Sequence, residues 1–324
     1  MKEGIKDLAS RAMALGARAF LLLIRVLPYP AALALFRGLA LIAWMVDAFH
    51  RNVAVTQIRS ALPAENAALL TLRVFTNQAD ILVDTIRYAY LSDDEIRARV
   101  TVEGREHLAK ALASGRGLMM LTGHVGNWEI LLHLPRILGI EFCVMADRRN
   151  DPRLEAIVNE VRALSGATIL PPTGKALMLI RELRKGRTIG IVADGRAGPR
   201  EAVYCDVFGM PAPTNPAPAF IAIKGGALVL PVCAHKIGGT YRIRFAEPFD
   251  AAARGTKDEA VRDLSARMQS WVESMVREHP HQWFWLYSRW VNRSDMRDII
   301  RQGKGLREFL MHRGMNPDGP HLTS

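Results

Sequence analysis

The segment GLMMLTGHVGNWE, residues 117–129, decides how the rest of the chain is interpreted. It begins with a short apolar run, 117–122, which is typical of a buried β-strand. His124 follows this run, and Gly126 and Asn127 then open a stretch with helical spacing. A strand that leads through a polar turn into a helix predicts one unit of an α/β fold.

The same segment carries residues that are suited to proton transfer. Histidine is the side chain whose ordinary pKa lets it take up and return a proton near neutral pH. Glu129, five positions after His124, is a candidate to hydrogen-bond to the second ring nitrogen and strengthen a general base. Two simpler interpretations stay open, namely a histidine satisfied within its loop and a glutamate that stabilises a helix N-terminus through its charge.

The backbone of Gly126 and Asn127 suggests a further function for the segment. At the start of a helix the first N–H groups have no partner within the helix. We therefore expect these two residues to bind a developing oxyanion or a phosphate group.

The remainder of the chain predicts an α/β fold with a mostly parallel sheet flanked by helices. From about residue 100, apolar runs of strand length alternate with stretches of helical periodicity. In such sheets sites form at the carboxyl ends of strands, and both His124 and Asp194 fall there. We predict strands at 117–122, 142–146, 167–170, 188–193, 227–236 and 241–246, and helices at 64–90, 127–138, 151–164, 173–185, 214–224 and 256–278.

The N-terminal region is apolar but interrupted by charge. Residues 12–46 contain no charge-free window of the ~18–20 residues that a membrane-spanning helix needs. We therefore predict amphipathic membrane-associating helices over 1–62, with arginines that reach lipid phosphates. A buried helical hairpin and a short anchoring span are the alternatives, whereas arginines within the apolar run argue against a cleaved signal peptide. The interrupting arginines are Arg18, Arg25 and Arg37.

The rest of the chain divides into two parts. Residues 63–302 are predicted to form the α/β domain, and 303–324, which are rich in glycine and proline, a flexible tail. A hydrophobic content of 49% argues against intrinsic disorder. Three widely separated cysteines predict reduced, buried thiols and no metal site.

The charge of the chain indicates an anionic partner. The formal net charge is +11, which favours an anionic membrane, a phosphorylated lipid or an acidic carrier protein. Nucleic acid is not expected as a partner, because the sequence has no zinc-finger spacing, RNA-recognition signature or basic recognition helix.

Several motifs in order resemble the bacterial lipid A late acyltransferases of the lauroyl- and myristoyltransferase type, which are related to glycerophospholipid acyltransferases. His124 through Glu129 fits the family's His-x4-Asp/Glu motif with its common Gly-Asn-Trp filling. The resemblance extends over roughly residues 20–293. The other matching segments are Arg148-Arg149-Asn150-Asp151, Arg162, Val192-Ala193-Asp194-Gly195, Val207-Phe208-Gly209-Met210-Pro211-Ala212 with Thr214, Gly226-Ala227 through Pro231-Val232, and Trp285-Leu286 through Arg289-Trp290.

The resemblance implies an acyltransferase that moves a fatty acyl chain from an acyl carrier protein thioester to a hydroxyl or hydroxyacyl group of a lipid A precursor or similar glycolipid. It implies a peripheral or N-terminally anchored protein at the cytoplasmic face of the bacterial inner membrane. It also implies a reaction that uses neither a cofactor nor a metal. His124 is then the general base and Glu129 the residue that orients it, while Arg162 binds the oxyanion or an acceptor phosphate. Asp194 positions Arg162 or the acceptor hydroxyl. The predicted substrate-binding residues are Gly126, Asn127, Arg148 and Arg149.

Departures from the family pattern bear on the acceptor more than on the chemistry. Gly195 stands where a glutamine is usual, Asp147 where a tyrosine is common, and Tyr287-Ser288 replaces a pair that frequently contains histidine. Two other functions stay open: a lipid ester hydrolase that uses the same pair of residues, and a lipid-binding protein without catalysis. A repeat of Arg289, Arg293, Arg297 and Arg301 predicts a cationic stripe if all four lie on one helix.

Overall fold

The computed structural model of the chain describes residues 2–145, 151–171, 175–252 and 255–313. Within these residues, helices cover both faces of a central sheet in which most neighbouring strands are parallel. This confirms the predicted α/β class. The strands are β1 Val100–Glu103, β2 Leu118–Thr122, β3 Cys143–Met145, β4 Thr168–Leu170, β5 Thr188–Val192, β6 Val203–Asp206, β7 Pro211–Thr214, β8 Leu228–Ile237, β9 Thr240–Phe245 and β10 Phe249–Asp250.

The helices fall before, between and after these strands. Before the sheet come α1 Lys2–Val26, α2 Tyr29–Val46, α3 Ala48–Ala61, α4 Ala67–Ala89 and α5 Asp93–Ala98. Between strands lie α6 Arg105–Ala113, α7 Leu134–Leu138, α8 Pro152–Ala163, α9 Lys175–Arg184 and α10 Ala217–Gly225. After the sheet come α11 Lys257–Glu278, α12 Arg293–Gln302 and α13 Leu306–His312, and two 3-10 helices span Trp128–His133 and Pro280–Gln282.

The sheet places β2 near its middle. The strand order is β1-β9-β8-β2-β5-β3-β4, with β10 pairing to β8 in antiparallel fashion. Every residue of β2 is buried, and its side chains alternate between two apolar clusters, Leu118 and Met120 on one side and Met119 and Leu121 on the other. A strand covered on both faces reads as a continuous apolar run, which is why 117–122 was recognisable from sequence.

Some local predictions need correction. The predicted helix 127–138 is a 3-10 helix followed by the short α7, and the predicted helix 214–224 begins only at Ala217. Before it, β6 and β7 form a two-stranded hairpin that is absent from the predicted strands, and β7 contains Pro211 and Pro213. A strand at the edge of a small sheet tolerates proline, since it has no second neighbour that needs the missing N–H.

The N-terminal helices differ in where they pack. On α2 many large apolar side chains are exposed, and its 18 residues are enough, by length and composition, to cross a membrane. In contrast, α3 belongs to the core: Val53 and Ile58 pack in one cluster with Val272 and Trp285. The boundary that we placed after residue 62 therefore does not mark a change in packing.

The N-terminal arginines contact protein, in contrast to our expectation. Arg18 pairs with Glu160, the Arg25 guanidinium lies 3.7 Å from the centre of the Tyr90 ring, and Arg37 pairs with Asp80. Each of these cations thus has a partner on α4, on α8 or at the end of α4.

The C-terminal region is more ordered than predicted. Within the proposed flexible tail 303–324, α13 buries Leu306 and Leu310 against the cluster that contains α3. Burial of these two leucines stabilises the helix, although glycines precede it. Residues 314–324 lie outside the described residues.

Candidate active site

The parallel pairing of β2 and β5 brings His124 and Asp194 together. Thr122 and Val192 are register partners at the ends of these strands, and each functional residue follows two positions later. Gly123 allows the close approach, because a Cβ there would lie 2.9 Å from Val272 Cγ1 and 3.2 Å from Asp194 Oδ2. The predicted placement of both residues at one sheet edge is thereby explained.

The Asp194 carboxylate holds His124 at two points, the imidazole and the backbone N–H. His124 Nδ1 lies 2.7 Å from Asp194 Oδ1, and the backbone N–H of His124 donates to Oδ2 at 2.9 Å. The side chain of Asp194 is 3% exposed and that of His124 40%, so a fixed buried acid supports an accessible base. This is the arrangement by which an acid sets the tautomer and orientation of a catalytic histidine.

Charge and hydrogen bonding keep Asp194 ionised. Burial would raise the pKa of Asp194, but the neighbouring His124 and the hydrogen bonds from His124 and Trp283 lower it to about 2. The Trp283 contact is an indole N–H that donates to Oδ2 at 2.8 Å. An ionised carboxylate only accepts hydrogen bonds, so Nδ1 carries the proton in this contact.

Glu129 has a different partner from the one we predicted. Arg162 donates through Nη2 to Glu129 Oε1 at 2.5 Å and through Nε to Oε2 at 3.2 Å. The Glu129 carboxylate makes no hydrogen bond to His124 among the described residues, so its predicted role at the imidazole is corrected. Asp194 lies at the imidazole instead, and the carboxylate that contacts Arg162 is that of Glu129, not that of Asp194.

The backbone of Gly126 and Asn127 does not form the predicted anion site. The Gly126 N–H donates to Gln282 O at 2.9 Å, and the Asn127 N–H donates to Ala234 O at 2.9 Å. Both donors are therefore used within the fold. Gly126 is required sterically, since its φ is +63° and a Cβ would lie 2.1 Å from Ala234 O.

Asn127 has a structural role in the motif. It is fully buried, and its Oδ1 accepts from the Glu129 N–H and from Thr85 Oγ1, while its Nδ2 donates to Tyr241 OH. These contacts fix the turn that carries Glu129, whose carboxylate contacts Arg162.

Two apolar cavities meet at the His124 side chain. Both are bordered by His124, Trp128, Glu129 and Arg162. The inner cavity, about 450 Å³, extends between β2, β3 and β5 past Met120, Leu131, Phe142, Val144, Gly190 and Ile191. The outer cavity, about 620 Å³, reaches α1, α4 and α8 through Phe20, Leu21, Ile81, Leu82, Ile86 and Val161. Such volumes lie within the range of small-molecule sites.

The other predicted residues either lie outside the described residues or pack elsewhere. Arg148 and Arg149 lie outside the described residues. Arg289 is 2% exposed, lies before α12, and donates to Pro213 O, Thr214 Oγ1 and Gln269 Oε1. The predicted stripe of four arginines is therefore wrong at Arg289, whereas Arg293 and Arg297 on α12 lie over the Phe49 ring.

Trp283 is a site residue that sequence reasoning missed. Its indole lies in an aromatic cluster with Phe208, Trp285 and Trp290, which fixes the N–H toward Asp194. The density of tryptophans in 283–290 was the available signal. A buried tryptophan usually finds a hydrogen-bond partner, but the sequence does not say which.

Among the described residues, the side chains of His235, Glu278 and His279 have ligand atoms within 4.8 Å of one another, which is a spacing that could hold a metal ion. None of the three borders the cavities at His124, and Glu278 is paired with Arg244 at 2.8 Å. The three cysteines are buried and form no disulfide.

A family model described as bacterial lipid A biosynthesis acyltransferase matches residues 8–292. Among curated proteins, the phosphatidylinositol mannoside acyltransferase of Mycolicibacterium smegmatis (strain ATCC 700084 / mc(2)155) is 27% identical over 205 residues, which is 62% of this chain and 64% of that protein. The protein of the same name from Mycobacterium tuberculosis (strain CDC 1551 / Oshkosh) is 26% identical over 198 residues, 59% of this chain and 60% of that protein. The alignments thus span less than two thirds of these relatives.

Among solved structures, the 1-acyl-sn-glycerophosphate acyltransferase PlsC from Thermotoga maritima aligns with a TM-score of 0.37 and 19% sequence identity. The alignment covers 76% of this chain and 95% of that one.

Proposed function

Because the chain belongs to the bacterial lipid A biosynthesis acyltransferase family, we propose that it transfers a fatty acyl chain from an acyl carrier protein thioester to a hydroxyl or hydroxyacyl group of a lipid A precursor or similar glycolipid. The observation that carries this proposal is the His124–Asp194 pair at the junction of two apolar cavities. An accessible base with a fixed tautomer and room for acyl chains is what O-acyl transfer requires.

In this mechanism His124 accepts the proton of the acceptor hydroxyl. With Nδ1–H donated to Asp194, the lone pair lies on Nε2, which removes the proton as the hydroxyl oxygen attacks the thioester carbonyl. The new C–O bond gives a tetrahedral intermediate, and its collapse breaks the C–S bond. The imidazolium returns the proton to the leaving thiolate. Asp194 stabilises the imidazolium, and general-base assistance of this kind contributes ~10²–10⁴ in rate.

We assign to Arg162 the stabilisation of negative charge during the reaction. The backbone N–H groups of Gly126 and Asn127 are used elsewhere, whereas the Arg162 guanidinium borders both cavities. Glu129 fixes that guanidinium through two hydrogen bonds, so it acts as a positioning residue. A cation held in advance stabilises the tetrahedral oxyanion, or an acceptor phosphate, without reorganisation during the reaction.

The two cavities supply separate places for two lipid chains. The inner cavity is enclosed by sheet residues and suits the acyl chain of the donor, while the outer cavity reaches the apolar helices α1 and α4 and suits the acceptor. The exposed apolar side chains of α2 support association with the cytoplasmic face of the inner membrane. The net charge of +11 supports an anionic glycolipid and an acidic carrier protein as partners.

Product analysis with purified protein tests the function. We expect mass spectrometry to find an acylated glycolipid when the protein is incubated with acyl carrier protein thioester and the acceptor. His124→Ala should abolish the product, and His107→Ala, at a partly exposed histidine on α6, should not. Free fatty acid without acylated acceptor would show a hydrolase instead. Equal rates with acyl-coenzyme A would contradict the assignment of the carrier protein as donor.

A further inference from the structure

A third cavity, about 590 Å³, lies between α2, α4 and the turn that joins β8 to β9. It shares no lining residue with the two cavities at His124. Most of its lining residues are polar or charged, whereas most residues that line the other two cavities are apolar. The lining residues that matter here are Arg37 from α2, Arg73, Asn77 and Asp80 from α4, Lys236 from β8, and His281.

Asp80, which lines this cavity, and the neighbouring Asp84 are already paired with cations. Arg37 donates to both oxygens of Asp80, each at 2.7 Å. Lys236 Nζ donates to Asp84 Oδ2 at 2.6 Å and to Asp80 Oδ2 at 3.3 Å. Two cations therefore face two anions, and both carboxylates are buried.

Arg73 is a further cation at this cavity, and it takes no part in the ion pairs of Arg37 and Lys236. It is exposed and borders the cavity, and it forms none of the ion pairs found among the described residues. A guanidinium presents five N–H donors in a planar fork, a geometry that suits phosphate oxygens.

Asn77, one turn further along α4, adds an unsatisfied donor. Its side chain borders the cavity, the residue is 8% exposed, and its buried Nδ2 has no hydrogen-bond partner among the described residues. Leaving a buried amide unsatisfied costs about 1–3 kcal/mol, which a ligand oxygen would recover.

We propose that this cavity binds the phosphate of an anionic lipid headgroup through Arg73 and Asn77. A membrane source of the phosphate is favoured because α2 forms one wall. The helix that contributes Tyr29 and Arg37 to the cavity also exposes Leu35, Leu39, Leu41 and Ile42. A lipid whose tails cover these side chains would place its headgroup at this level of the helix. This site is independent of the proposed acyl transfer.

Vesicle binding tests the proposal without any acyl donor. Binding to phosphatidylcholine vesicles is compared with binding to vesicles that also contain phosphatidic acid, for the full chain and for Arg73→Gln. The matched control is Arg59→Gln on α3, which removes the same charge from an exposed residue that does not line the cavity. One surface cation near an anionic membrane accounts for no more than about a 5-fold change in affinity.

We expect Arg73→Gln to weaken binding to the phosphatidic acid vesicles at least ~10-fold, and Arg59→Gln to stay within the range of one surface charge. Asn77→Ala, which leaves the charge unchanged, should weaken the same binding and spare that to phosphatidylcholine. Equal effects of the two arginine variants would overturn the proposal. If Arg73→Gln weakens binding of free inorganic phosphate but not of the vesicles, the lipid assignment is wrong. Vesicle binding needs no acyl transfer, so failure of the proposed function would not change the binding result.

Discussion

Two carboxylates of the candidate site contact different groups. Asp194 holds the His124 ring, and Glu129 holds the Arg162 guanidinium. In the proposed mechanism each carboxylate acts through one partner, and a substitution at either should affect the reaction in a different way. The distinction separates proton transfer from stabilisation of negative charge.

Arg162→Lys should lower the rate of acyl transfer at least ~10-fold while the protein stays folded. Lysine keeps the charge but cannot form the two parallel bonds to Glu129, so the cation is no longer fixed beside the reacting carbonyl. Steady-state rates with saturating acceptor provide the measurement. Arg153→Lys, at an exposed arginine on the same helix, is the control and should retain activity. Equal rates for the two variants would remove Arg162 from the mechanism.

Local sequence patterns do not identify Asp194 as the partner of the His124 imidazole. His124 and Glu129 are close in sequence, so the motif suggested that they contact each other, whereas Asp194 is 70 positions away. Asp194 reaches His124 because β2 pairs with β5. Periodicity predicts both strands but does not show that they are neighbours. The same limit hid Trp283 and the contacts that occupy the Gly126 and Asn127 N–H groups.

At the scale of secondary structure, a buried polar network joins α4 to β8 and β9. Asp84, which is 1% exposed, accepts hydrogen bonds from Lys236, Tyr29 and Tyr241. Tyr241 in turn accepts from Asn127 of the active-site motif. The helix that supports the outer cavity is thereby fixed to the sheet.

Asp84→Asn should destabilise the protein by about 1.5–3 kcal/mol, because Lys236 loses its shorter ion pair, at 2.6 Å, and keeps only the longer one to Asp80, at 3.3 Å. Urea unfolding followed by circular dichroism measures the change. Combining it with Lys236→Met removes this weakly paired charge, and the double variant should recover part of the loss. A single variant that unfolds within about 1 kcal/mol of the wild type would show that the network contributes little.

Helix α2 should provide membrane affinity through its exposed apolar face. Ile42→Ser removes a side chain that is 53% exposed, and we expect it to weaken binding to phospholipid vesicles by roughly 10-fold, as burial of such a side chain is worth about 1.5–3 kcal/mol. Leu177→Ser on α9, where the leucine is 65% exposed, is the matched control for lost surface hydrophobicity. If both variants float with vesicles equally well, α2 is not the membrane contact.

Periodicity predicted the long helices and central strands but not their ends or the shorter elements. Helix α4 was recognisable because its apolar residues recur with helical spacing, and β5 because it is an apolar run. In contrast, α5 begins with the capping box Ser92–Glu95, a local signal that periodicity alone overlooks. The packing of α3 into the core depends on Trp285 and Val272, more than 200 positions later, and no local pattern reports it.

For the molecule as a whole, two buried neutral histidines make stability depend on pH. Burial, together with nearby positive groups, lowers the pKa of His133 to about 4 and that of His235 to about 3. In the unfolded chain both histidines have a pKa of about 6.5. Between these values the unfolded state binds more protons, so stability falls as the pH is lowered.

Lowering the pH from 7 to 5 should therefore reduce the free energy of unfolding by about 2 kcal/mol for each of these histidines. Urea titrations at both pH values measure this change. His235→Gln should remove its share of the pH dependence, whatever its effect on stability at pH 7. An unchanged difference between the two pH values in that variant would contradict the argument. Asp194, with a pKa of about 2, stays ionised throughout this range.

The most direct test of the whole account is the pH dependence of acyl transfer in Asp194→Asn and Glu129→Gln, compared with the wild type. We expect Asp194→Asn to lower the rate by about 10²–10⁴ and to alter the pH profile, because an amide at Nδ1 favours the tautomer without a lone pair on Nε2. Glu129→Gln should lower the rate while the shape of the profile stays that of the wild type. If Glu129→Gln changes the profile and Asp194→Asn does not, the assignment of Asp194 as the partner of His124 is contradicted.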